Sequence, residues 1–142
     1  MRSPTTPPPG PVDAGRPDPV ILHIDLRWLL ERQTDVLPEG PDVHDYSGLV
    51  AAVARHRVNT PRLGEDADPA WRAASLMHTL IRLSPLPARN ALFACGVAVA
   101  YMAASDQGVD PPYGALVDLA RAVDTGKADV YTIADHLRSW RI

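Results

Sequence analysis

From residue 20 onward, apolar positions recur at helical spacing and never alternate in the two-residue rhythm of a strand. Asp25 stands where a capping side chain would precede Leu26, Leu29, Leu30 and Leu37, and Pro38 stops that run. Asp45 stands likewise before Leu49, Ala52, Val53 and His56. The pair Asp68-Pro69 is a strong start signal, a cap followed by proline at the first helical position. Behind it Ala73, Leu76, Met77 and Leu80 form a stripe at i, i+3, i+4 and i+7. The stretch from about Asn90 to Ser105 is apolar on all sides, which predicts a buried central helix. Leu116, Leu119, Ala120 and Val123 mark a fifth helix closed by Gly126, and Val130, Ile133, Leu137 and Trp140 a sixth. The expected class is therefore all-α, about six helices around a buried central one.

Residues 1–19 break this pattern. They hold seven of the fifteen prolines and almost nothing apolar, so an extended, disordered tail is expected, with the folded domain over residues 20–142. Fourteen basic against seventeen acidic residues give a net charge of −3, which argues against a nucleic-acid surface. Lys127 is the single lysine, a mark of GC-rich codon usage and of a bacterial, actinobacterial-type genome. One cysteine, Cys95, excludes an internal disulfide, fits a reducing compartment and, inside an apolar helix, should be inert. No signal peptide is evident, and the longest apolar run, Ala91 to Ala104, is shorter than the ~20 residues of a bilayer span. A cytoplasmic protein with no membrane partner is expected.

The chemistry to weigh lies at one break. In "HTLIRLSPLPARNALFACG", residues 78–96, a helical run stops at two prolines and restarts at an asparagine. Pro85 and Pro87 hold such a loop extended and remove two donors from it. Asn90 reads most simply as the N-cap of the next helix. A cation at a helix N-terminus opposes the dipole, so Arg89 either turns to solvent or meets an anion. Ser84 has no activating base beside it in sequence, and His78 falls on a different helix face, where a packed, partly buried role is the simpler reading. His23, His44, His56 and His136 show no metal-ligand spacing with Cys95 or with one another, so no metal site is expected. Gly96 fits the close approach of a neighbouring helix. No glycine-rich phosphate cradle occurs.

Four stretches, in order and without large gaps, resemble the Doc (death-on-curing) branch of the Fic/Doc family over roughly residues 20–140: "ILHIDLRWLLE", "HDYSGLVAAVARHR", "LGEDADPAWRAASLMHTLIR" and "YGALVDLARAVDTGKADVYTIADHLRSW". The first is similar to the family's strand-like lead and first helix, the last to its two C-terminal helices. The family's motif, H-x-F-x-D-G-N-K-R, falls on the break. Its histidine position carries Ser84 and its phenylalanine position Leu86; the acidic position carries Ala88 and the glycine position Arg89. Asn90 alone matches, and the lysine and arginine positions carry Ala91 and Leu92.

The resemblance implies a Fic/Doc-like bundle without the family's chemistry. A serine hydroxyl cannot replace the histidine base near neutral pH, a role worth roughly 10²–10⁴-fold in rate. Ala88, Ala91 and Leu92 supply neither the acid nor the cations that balance charge on a transferring phosphate. The leading expectation is a domain that binds a partner in the ancestral cleft. That partner is an antitoxin-like or target protein, or a nucleotide held without turnover, with Arg89 and Asn90 the candidate ligand-holding residues. The alternatives are an enzyme reusing the cleft on a small molecule, with Ser84, Arg89, Asn90 and His78 as its polar groups, or an active Doc-type toxin transferring phosphate or AMP to a protein hydroxyl. No cofactor is expected, and ATP with Mg²⁺ only if the family activity persists.

Overall fold

The computed structural model describes residues 21–142; the proline-rich segment expected to form a tail lies outside the described residues. Six helices follow one another: α1 (Leu26–Val36), α2 (Tyr46–Val58), α3 (Pro69–Leu83), α4 (Asn90–Ala104), α5 (Ala115–Asp124) and α6 (Val130–Ser139). The described residues form no strand, and a single antiparallel bridge between Val109 and Arg141 ties the chain's end to the α4–α5 connection. The class is all-α, as the periodicity predicts. The lead at Ile21–Asp25, expected to be strand-like, has no regular structure. No helix among the described residues is long and apolar enough to cross a membrane.

Aspartate starts four of the helices. Asp25, Asp45, Asp68 and Asp129 each accept a backbone N–H from the first turn that follows, from Trp28, Gly48, Trp71 and Thr132 respectively. Each satisfies one amide that has no partner inside the helix. Asp68 does more: both its oxygens also accept from Arg138 of α6, at 2.8 and 3.0 Å, so one carboxylate starts α3 and pins α6 to it.

The helix at the centre is α3 rather than α4. Ten of the fifteen α3 residues are buried, against seven of fifteen in α4. α3 packs on α2, α4, α5 and α6, whereas α4 packs on α1, α3 and α5. Apolar character on all sides of α4 does not mean burial on all sides: Ala91, Leu92, Ala103 and Ala104 are exposed. Its buried side, Phe93, Ala94, Val97, Ala98, Tyr101 and Met102, completes the core. At Gly96 a Cβ would lie 2.5 Å from Val36 Cγ2, so α1 crosses α4 at a distance that only glycine permits without repacking.

Candidate functional site

The elbow between α3 and α4 is built by hydrogen bonds that stiffen it. Ser84 ends α3 in the left-handed region (φ 47°), and its hydroxyl donates back to the Ile81 carbonyl at 3.1 Å. Pro85 and Leu86 are buried. The Pro85 carbonyl accepts from the backbone of both His44 and Asp45, at 3.1 Å each, which fastens the elbow to the start of α2. Gly48 of α2 leaves room for this crossing, since a Cβ there would lie 3.2 Å from Pro85 Cβ.

Asn90 is not the N-cap. Its side chain folds back over the elbow: Oδ1 accepts from the Leu86 N–H at 2.9 Å and Nδ2 donates to the Leu86 carbonyl at 2.8 Å. The two bonds close a ring around a single residue, satisfying both backbone groups of buried Leu86. The capping position falls to Arg89, which sits in the left-handed region (φ 64°, ψ 26°) and makes no side-chain capping bond. Arg89 is exposed and forms no ion pair among the described residues. No acidic neighbour among the described residues supplies the anion that one reading of this position called for.

Beside the elbow lies a groove of about 600 Å³, between the end of α3, the first two turns of α4 and the outer side of α5. Ile81, Ala91, Leu92 and Cys95 form one wall; Leu116, Val117 and Ala120 form the other. Ser84 and Asn90 border it at the elbow, Arg121 and Asp124 at the α5 edge. Leu92 and Val117, its apolar lips, are 47% and 60% exposed, far more than packed side chains of their kind. The groove thus gathers Ser84, Asn90, Ala91 and Leu92, four of the residues singled out at the break. Leu86 and Ala88 belong to the elbow itself, and Arg89 does not line the groove.

Little in the groove can move a proton or attack an electrophile. The Ser84 hydroxyl is committed to its own helix, and no hydrogen bond joins it to Asp124, the carboxylate on the groove's rim. Burial pushes the Cys95 thiol up to about 11, so it stays protonated at neutral pH, and its Sγ lies 3.8 Å from the Leu116 carbonyl. His78 lies outside the groove, half-buried, its Nδ1 2.8 Å from Arg55 Nη1. Burial and the neighbouring charges of Arg55 and Arg82 lower its pKa. No cluster of three His, Cys, Asp or Glu residues that could hold a metal ion occurs among the described residues.

The α5 wall is the part of the site that sequence reasoning missed. Leu116, Leu119, Ala120 and Val123 mark a buried stripe, but Val117 and Arg121, one turn apart and exposed, gave the signal of a second, outward-facing edge. Taken together, fold and site define an all-α domain with a stiff elbow and an apolar groove beside it. No protein-family model and no curated protein matches the chain.

Proposed function

We propose that this chain is a Doc-like domain that recognises rather than transfers, and that its groove holds an apolar segment of a partner protein of the antitoxin type. The observation that carries the reading is the apolar lining of the groove at the elbow where the resembled motif falls. Ala91 and Leu92 stand there in place of phosphate-holding cations, beside Cys95, Leu116 and Val117. A volume of about 600 Å³ is in the range that binding pockets use. Walls of this kind favour aliphatic side chains over the phosphates of a nucleotide, whose charge would be poorly matched. The exposed lips Leu92 and Val117 supply the apolar contact, and the charged rim of Arg121 and Asp124 supplies register.

The test is co-purification with the products of the adjacent genes, comparing the wild-type chain with Leu92→Glu and Val117→Glu. Both positions are exposed, so the fold should tolerate the charge. A partner retained by the wild type and released by either variant is the expected result. A partner held equally by all three would put recognition elsewhere and overturn the reading.

A further inference from the structure

Outside the groove, Arg55 of α2 is a half-buried guanidinium without an acidic partner among the described residues. Its Nη1 donates to His78 Nδ1 at 2.8 Å and to Thr79 Oγ1 at 3.1 Å, both on α3. None of the ion pairs among the described residues includes it. Half-buried Arg32 and Arg138, by contrast, each have carboxylate partners. A charge taken partly out of water without an opposite charge costs stability, so an anionic ligand at this guanidinium would be stabilising.

The donors left over have the shape of an anion site. The two acceptors occupy the hydrogens of Nη1, leaving the Nε/Nη2 edge of Arg55, the fork that binds an oxyanion in bidentate fashion, without a partner among the described residues. Because an arginine cannot accept, His78 Nδ1 must, so the neutral ring carries its proton on Nε2 and offers another donor. Arg82, one turn further along α3, is exposed and uses only Nη1, which donates to the Asp124 carbonyl at 3.0 Å. The facing carboxylate, Asp129, is engaged as the cap of α6, accepting from the Thr132 N–H at 2.9 Å and the Thr132 hydroxyl at 3.0 Å. We propose that Arg55, His78 and Arg82 form a binding site for a tetrahedral oxyanion, a phosphate- or sulfate-like group, on the α2–α3 face. Burial and the charges of Arg55 and Arg82 hold His78 below the ordinary histidine range, against the opposing pull of Asp129. A bound dianion would oppose those charges strongly enough to favour protonation at Nδ1, which releases the Arg55 Nη1 hydrogen from the ring.

The His78 ring is therefore the reporter. Its Cε1 proton is followed by NMR from pH 5 to 8 in sulfate, which stays a dianion throughout, and in chloride and acetate at matched ionic strength. In sulfate the titration midpoint of His78 should rise by about one pH unit relative to chloride. That sulfate-dependent rise should vanish in Arg82→Gln, at an exposed position, and in Arg55→Gln. An unchanged midpoint in sulfate overturns the proposal, an equal rise in acetate overturns the tetrahedral assignment, and a rise that persists in both variants overturns the residue assignment.

Discussion

At the residue scale, two positions carry measurable strain of different kinds. His56 is 1% exposed; its Nε2 accepts from the Ile24 N–H, while its Nδ1 has no hydrogen-bond partner. Burial lowers its pKa from 6.5 to about 4, aided by the nearby charges of His23 and Arg72. The folded state thus refuses a proton that the unfolded chain accepts. This contribution to stability is complete above pH 6.5 and is lost as pH falls towards 4, to a total of about 3 kcal/mol. Chemical denaturation at a series of pH values should show a shallower decline for His56→Gln, which keeps an acceptor but does not titrate; equal slopes would refute the assignment. Arg89 is held at φ 64° with no capping bond to justify it. Arg89→Gly relieves roughly 1–2 kcal/mol of left-handed strain and adds roughly 0.5–1 kcal/mol of chain entropy to be lost. The expected net is a gain of roughly 0–1.5 kcal/mol in urea unfolding, and a clear loss would mean that the side chain holds something in place.

At the element scale, Asp68 joins two helices through one carboxylate. Burial works to raise its pKa, but Arg138 and the Trp71 N–H outweigh it, and the group ends below the ordinary carboxylate range. Asp68→Ala removes the cap and leaves half-buried Arg138 with Asp135 as its remaining carboxylate, an expected cost of about 2 kcal/mol. Asp68→Asn retains a capping oxygen and should recover about 1 kcal/mol of that loss. Equal destabilisation by the two variants, measured by urea midpoint, would show that capping contributes nothing. The helix start here was legible because cap and proline are local signals, and the same holds for Asp25 and Asp45. The central role of α3 was not. Ser75 and Thr79 interrupt its apolar pattern, yet both are buried because their hydroxyls donate back to Trp71 and Ser75 carbonyls one turn earlier. Hydropathy counts such residues as polar, whereas the helix satisfies them internally. Asn90 was misplaced for a related reason: the side chain that caps a helix can equally clasp a turn, and only the path of the elbow decides.

At the scale of the whole molecule, the groove arises where α5 faces the end of α3 and the first turns of α4, an arrangement that no single segment encodes. Its α4 half adjoins the break at Pro85 and Pro87 that the sequence marks, and its α5 half has no such local signal. On the proposed reading, restoring one motif residue changes nothing: Ser84→His should transfer no label from ATP to proteins of a bacterial lysate, because positions 88, 91 and 92 still offer no acid and no cation. Labelling by that variant above the wild-type background would contradict the placement of the motif on this elbow.

The Asn90 clasp has a consequence for solvent exchange. The Leu86 amide sits in a connection between helices, where backbone protons ordinarily exchange with water quickly, yet it is held at 2.9 Å by a side chain rooted in α4. It can exchange only when Asn90 lets go, so its deuterium uptake times the opening of the elbow, separately from the unfolding of the helices on either side. A ligand seated in the groove against Asn90 would slow that proton by holding the clasp closed.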